Sequence, residues 1–389
     1  MTQLKIAQIN TPTGIIDLGR GDPDHALLPL KALQLSAEGY FASGDRRPLQ
    51  YGTEQGDGYF RRDLANFLSG ANGVPVDPEM LFITSGASSA LDLICTLFTR
   101  PGDVIFVEEP TYFLALRIFQ DHGLKIVPLP MDQEGLCLEG LEERIKKYQP
   151  KLIYVIPTFQ NPTGRTLSQE RRVKLIDLAR QSDLLIVADE VYQLLAYTQT
   201  PPQPFATYAE HQEHVISLNS FSKILAPGLR LGWVHAHATV IKRLAGSGLL
   251  NSGGGMNPFT SALVRNLVAS GGLEENIQKI CTEYARRLEA MGAALNKYLP
   301  AAEWTRPQGG FFYWVRLPGL DAAELRCSAE NYKVGLRQGA LFSSQKGMQD
   351  YFRLSFSFYN LARIEEGVRR LGDCQLRSEK IESMPDGNP

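Results

Sequence analysis

Nowhere in the 389 residues is there an apolar run long enough to cross a bilayer, which takes about 20 consecutive apolar residues as a helix. The opening stretch, MTQLKIAQINTPTG, has no apolar core behind a basic tip, so no secretory leader is expected and the cytoplasm is the expected compartment. Cysteine is sparse: Cys95, Cys137, Cys281, Cys327 and Cys374 are scattered without metal-like or redox spacing. They read as reduced, small apolar side chains, which argues against a disulfide framework or a zinc site; no metal is expected. An excess of one charge is missing too. Forty Lys and Arg against 42 Asp and Glu leave a net charge of −2, and no basic run offers a footprint for nucleic acid or an anionic membrane. No internal repeat is present.

What remains is a composition that is 43% hydrophobic and 21% charged, in a chain long enough for two domains. Short apolar runs at 81–84, 104–107, 152–156, 184–188, 215–218 and 231–235 alternate with helical patterns. Such alternation predicts an α/β fold with a mostly parallel sheet covered on both faces. GDGYFRRDLANFL reads as an amphipathic helix. So does 274–298, with Ile277, Cys281, Tyr284, Leu288, Met291, Leu295 and Tyr298 on one stripe. The glycine-rich 246–258 reads as a mobile loop at a cavity mouth, Glu108 and Glu109 as solvated loop charges, and 375–389 as a frayed polar tail.

The chemistry gathers in SFSKILAPGLRLGW, where Lys223 stands among Ser220, Ser222 and Arg230. A lysine amine near an oxyanion-binding cluster suits a cofactor with both an aldehyde and a phosphate. Lys223 would bond the aldehyde, while the hydroxyls and the guanidinium fork would hold the phosphate. LFITSGASSALDLICTLF places a helix start after a strand, so the backbone of Gly86, Ala87 and Ser88 offers amide donors and a positive dipole end to the same phosphate. Asp189 ends the most apolar strand. A carboxylate buried there needs a cation, and a protonated ring nitrogen is the natural partner. In YFRLSFSFYN, Phe352, Leu354, Phe356 and Phe358 alternate with Arg353, Ser355 and Ser357, so Arg353 is expected on the opposite, polar face, free to take a carboxylate.

S-x-S-K followed by P-G-x-R-x-G resembles the cofactor-lysine signature of class I/II aminotransferases of fold type I, which bind pyridoxal phosphate. Asn161-Pro-Thr-Gly, the Asp189 and Tyr192 pair and R-L-S-F match that family's motifs in its order, and the resemblance runs from about Ile15 to Gly372. It implies a large cofactor domain at 46–270, a smaller α+β domain at 271–374 preceded by an arm at 1–45, and a homodimer with shared sites. It further implies that Asn161 and Tyr192 donate to the cofactor's 3-oxygen, that Tyr112 lays its ring on the pyridine, and that Tyr51 reaches the neighbouring subunit's phosphate. Arg353, with Asn161 and the segment around Gly21, would hold the substrate, and Gly309 and Gly310 would lie beside it. Relatives often carry Gly-Ser-Gln where this chain has Gly86-Ala87-Ser88, so one hydroxyl is missing from the phosphate grip.

The reaction implied is transfer of an amino group from an L-amino acid, aromatic or 2-aminoadipate-like, to a 2-oxoacid such as 2-oxoglutarate, with Lys223 moving the α-proton. β-Elimination on a cysteine conjugate, or ring closure, would share the same site. A cofactor-binding module of a transcriptional regulator is a further reading; the lack of a basic helix-turn-helix extension ahead of Ile15 argues against it.

Overall fold

The structure is a computed structural model that describes residues 11–209 and 211–382, with side chains to residue 375. The arm contributes a short strand, β1 (Ile16–Asp17). Eight strands then form the main sheet: β2 (Leu81–Thr84), β3 (Val104–Glu109), β4 (Lys125–Asp132), β5 (Gly135–Leu136), β6 (Leu152–Val155), β7 (Leu185–Asp189), β8 (Val215–Ser220) and β9 (Gly232–Ala236). Their spatial order is β2-β9-β8-β7-β6-β3-β4-β5. From β8 to β4 every pairing is parallel, and β9 runs against both neighbours, β2 and β8.

The strands read as continuous apolar runs because both faces are buried. Successive residues serve different cores: Ile105, Val107, Leu152, Tyr154 and Val187 enter one cluster, whereas Phe106, Ile153, Val155, Ile186 and Ala188 enter the other. Helices that follow the strands cover each face. The helix Gly58–Asn72 starts where Asp57 accepts from the Phe60 amide at 2.7 Å, a side-chain cap that satisfies one of the otherwise free first-turn donors.

The rest of the chain forms a second layer with its own sheet: β10 (Glu303–Trp304), β11 (Phe312–Arg316), β12 (Val334–Gly335), β13 (Arg337–Gln338) and β14 (Tyr351–Ser355). Four of these run in the order β10-β11-β14-β13, while β12 pairs in parallel with β1, which brings the arm beside the C-terminal part. The helix Gly272–Tyr298 buries Tyr284, Leu288, Met291 and Leu295, and Ile277, Cys281 and Tyr298 pack half-buried at the margin of the same core.

Three expectations from the sequence need correction. The segment 375–389 does not fray from its start: the helix Leu361–Glu382 runs into it, and residues 383–389 lie outside those described. Ile364, Val368, Leu371 and Cys374 are buried along one face, and a helix so anchored extends into polar sequence at little cost per residue. The glycines of 246–258 are not a loose loop. Gly248–Gly253 is a short helix, and Gly255 forms a bridge with Gly52, its amide donating to the Gly52 carbonyl at 3.1 Å. A Cβ on Gly255 would overlap the Thr53 carbonyl, so glycine is needed for close backbone approach. Third, β3 carries Glu108 and Glu109 inside the sheet, with consequences described below.

Candidate active site

The C-terminal ends of β2, β3, β6, β7 and β8 open on one edge of the main sheet, where open α/β sheets place their ligands. Each predicted group except Tyr51, Gly309 and Gly310 lies there, on the arm or on the second layer facing it.

An anion seat lies beyond β2 and β8. Gly86, with φ of 94°, precedes the helix Ala87–Phe98, whose first turn has no side-chain cap. The amides of Ala87 and Ser88 are therefore open to an anion. A Cβ on Gly86 would come within 2.9 Å of the Arg230 guanidinium, so the absence of a side chain lets Arg230 lie over the helix start. Arg230 itself has a left-handed φ of 48° and donates from Nη2 to the Ser85 carbonyl at 2.9 Å. Asn257, which sequence reasoning missed, ties this corner together by donating to the Arg230 carbonyl and, at 3.2 Å, to Ser85 Oγ. Ser220 Oγ donates to Ser222 Oγ at 2.8 Å and accepts from the Ser222 amide at 3.1 Å. Hydroxyls, free amides, a dipole end and one guanidinium converge, which is the donor set a phosphate monoester requires.

An acid lies at the end of β7. Asp189 is buried; Oδ2 accepts from the Tyr154 hydroxyl at 2.7 Å, and Oδ1 has no partner. Burial pushes its carboxyl up to about 6, with the Tyr154 bond and the charge of Lys223 acting in the opposite direction. A buried carboxylate met only by neutral donors, the Tyr154 hydroxyl and the Val191 amide, with Oδ1 left without a close partner, fits a cationic N–H such as a protonated pyridine. Tyr154 was not singled out from the sequence. The signal was available: a strand-end carboxylate needs a donor, and Tyr154 stands opposite Val187 on the neighbouring strand. Tyr112 begins the helix Phe113–Asp121 beside this acid, and burial raises its hydroxyl to about 12. Tyr192 is buried edge-on to Phe311 and Phe312, and burial raises its hydroxyl well above the usual phenol range.

The amine and the guanidinium meet across the arm. Lys223 Nζ donates to the Gly21 carbonyl at 3.0 Å, and burial draws its ammonium down to about 8 against the stabilising charges of Asp22 and Asp189. Arg353 donates from Nη1 to Asn161 Oδ1 and from Nη2 to the Gly19 carbonyl, both at 2.8 Å. Its ring neighbours are Phe312 at 4.0 Å and Phe342 at 5.0 Å. Each terminal nitrogen keeps a second N–H for a carboxylate. The expected polar face of β14 exists, but it is interior: Arg353, Ser355 and Ser357 are all buried, because the main sheet and the arm close over them. Asn161 spends its oxygen on Arg353 and so has its NH2 to give.

Gly309 and Gly310 do not lie where the substrate was expected. They pack on Phe159 and the Leu195 carbonyl, and the following Phe311 and Phe312 reach the site instead, Phe311 with its ring centre 5.5 Å from Lys223 Nζ. Glu108 is not solvated either. It is buried, accepting from the Ile156 amide at 3.0 Å and from Gln160 Nε2 at 3.1 Å. Gln160 in turn accepts from Thr163, so Glu108 braces the Asn161 loop. Glu109 accepts from the amide and hydroxyl of Ser344.

Burial pushes the Glu108 carboxyl up to about 8 from 4.5. A carboxyl raised in the folded state contributes most below its unfolded value, and that contribution is lost as pH rises through about 8. Glu108→Gln, which keeps an acceptor for both donors, is expected to melt above the parent at pH 8 and to lose that advantage at pH 5. Parallel melting curves across that range check it; a constant offset would contradict the assignment.

Tyr51 stands apart, 84% exposed, two residues after the exposed Leu49.

Residues 13–371 match the family described as Aminotransferase class I and II. The chain is 34% identical over 368 residues to aromatic-amino-acid aminotransferase 1 of Thermococcus litoralis, covering 92% of this chain and 87% of that protein. Among solved structures, it resembles a multiple substrate aminotransferase of Thermococcus profundus with a TM-score of 0.89 at 34% identity, over 95% and 93% of the two chains. It also resembles an α-aminoadipate aminotransferase of Thermus thermophilus, solved with N-(5'-phosphopyridoxyl)-L-leucine, with a TM-score of 0.85 at 30% identity over 95% and 94%.

Proposed function

Because the chain belongs to the class I and II aminotransferases and its cofactor is pyridoxal phosphate, we propose that it takes the amino group of an L-amino acid, aromatic or 2-aminoadipate-like, and passes it to a 2-oxoacid, with 2-oxoglutarate the first acceptor to try. The observation that carries this reading is the placing of Lys223 and Arg353 on either side of the Gly19 and Gly21 carbonyls. One backbone segment sets the distance between a group that moves a proton and a group that grips a carboxylate.

In this fold type I enzyme, Arg230, Ser220, Ser222 and the amides of Gly86, Ala87 and Ser88 would hold the cofactor's phosphate. Asp189, with Oδ1 unpartnered, would serve the ring N–H, Asn161 and Tyr192 would serve the 3-oxygen, and Tyr112 would help hold the ring. When bound, the cofactor supplies an aldehyde carbon for attachment and a ring that draws electrons from the substrate's α-carbon. Arg353 holds the α-carboxylate through its remaining N–H groups, which fixes how the α-hydrogen points. Lys223 Nζ accepts that α-proton and later returns it; its ammonium, drawn down to about 8, leaves a useful share of free amine at neutral pH.

The test is a panel of amino acids scored for conversion of the bound cofactor to its amine form. Pyruvate and ammonia released from a cysteine conjugate, with no amine form accumulating, would overturn the transferase reading.

We also propose a cytoplasmic homodimer with shared sites, built on a large domain at 46–270, a small domain at 271–374 and the arm. The exposed Leu30, Phe41, Leu49 and Tyr51 support a second copy on that face. Tyr51→Ala is expected to weaken cofactor binding about tenfold, the worth of one hydrogen bond to a charged group. Mixed and refolded with Lys223→Ala, it should regain activity, since one hybrid site then has both Lys223 and the partner's Tyr51. No recovery in the mixture would mean that Tyr51 serves its own subunit or none.

A further inference from the structure

The arm carries a pair of opposite charges that the reaction above does not use. Arg20, 7% exposed, donates to Asp22 Oδ2 from Nε at 3.3 Å and from Nη2 at 3.0 Å, and to Thr11 Oγ1 from Nη1 at 3.2 Å. Its guanidinium lies 3.8 Å from the centre of the Phe358 ring. A buried guanidinium needs an anion. Asp22 supplies one while leaving 39% of its side chain open.

Position gives this carboxylate a function. Asp22 follows Gly21, whose carbonyl takes the Lys223 N–H, and its own carbonyl accepts from Ser357 Oγ at 2.7 Å, two residues beyond Ser355 at the end of β14. The site of a Cβ on Gly21 is 3.7 Å from Arg353 Nη2. The arm therefore passes Lys223 and Arg353 and reaches Asp22 one residue later, with the Asp22 side chain partly open. The charge of Asp22 is felt at Lys223, Tyr112 and Tyr192, three groups of the candidate site.

We propose that Asp22 is a specificity-determining residue: it occupies Arg20 and sets its own negative charge in the side-chain pocket, so that donors and 2-oxoacids with a second carboxylate are selected against and uncharged aromatic side chains are admitted. An acidic side chain entering here must either displace Asp22 from Arg20 or lie beside a like charge, and repulsive elements of this kind are how sites reject a near-relative of the right ligand. An uncharged aromatic side chain meets no such repulsion. The inference rests on the aminotransferase reading and chooses, between its two donor classes, the aromatic one. By the same reasoning 2-oxoglutarate is a poorer acceptor than a monocarboxylic 2-oxoacid.

The experiment uses the holoenzyme and follows conversion of the cofactor to its amine form by L-phenylalanine, L-glutamate and L-2-aminoadipate. For the parent enzyme, kcat/KM for phenylalanine is expected to exceed that for either diacid at least tenfold. Asp22→Asn, which frees Arg20 and removes the charge, is expected to raise the diacid to phenylalanine ratio at least tenfold, and Arg20→Gln added to it should cancel the gain. A second readout needs no turnover and no variant: 3-phenylpropionate should raise the parent's melting temperature more than maleate does at equal concentration. A parent enzyme that handles diacids as well as phenylalanine, a ratio unmoved by Asp22→Asn, or stronger stabilisation by maleate would each overturn the inference while leaving transamination intact. Conversion by none of the three donors would sink the parent reading and the inference with it.

Discussion

Lys223→Ala is expected to lower turnover by about 10,000-fold or more, the upper range for removing a positioned acid-base group that is also the nucleophile. The variant should also lose the cofactor's visible band and its trapping by borohydride, because both depend on a bond to Nζ. Phosphate binding should survive in part, since Ser220, Ser222, Arg230 and the helix start at Gly86 are untouched. The decisive measurement is a peptide map after borohydride reduction of the parent. A labelled peptide from anywhere other than 220–233 would remove the foundation of the mechanism.

Asp189→Ala should rank second, with cofactor retained and turnover down about 1,000-fold, the scale of losing one preorganised electrostatic partner in a water-excluded site. The substitution also leaves Tyr154 buried without its acceptor. Asp189→Asn separates the two effects. Its side-chain oxygen still accepts from Tyr154, so its melting temperature should stay near the parent's, while the missing charge should cost nearly the same activity. Full activity in either variant would show that the ring nitrogen is served by another group.

The strands and the groups that follow them were legible because each strand is buried on both faces, which leaves an uninterrupted apolar run, and because ligands gather where such runs end. The Gly86, Asn161, Asp189 and Lys223 segments are all of that kind. The readings that failed share a different cause: the deciding partner is remote in the chain. Glu108 looked like a loop charge because Gln160, 52 residues away, and the Ile156 amide are what make its burial tolerable. The polar side of β14 was legible as a pattern, yet whether it faced solvent depended on the arm, 334 residues earlier at Gly19. Asn257 was hidden inside a glycine-rich stretch whose packing against Gly52 no local rule specifies.

The reversed strand β9 has a bearing on how the protein is made. Lys223 sits in the connection between two adjacent antiparallel strands, β8 and β9, closed at its base by the Phe221 amide bonded to the Leu231 carbonyl. Pairings so close in sequence form early, whereas contacts that span the chain wait for the largest loss of loop entropy. The contact that joins Arg353 to Gly19 and Asn161 cannot form until a ribosome has released nearly the whole polypeptide. The hairpin that carries Lys223 thus has all of its partners on the ribosome well before Arg353 is made.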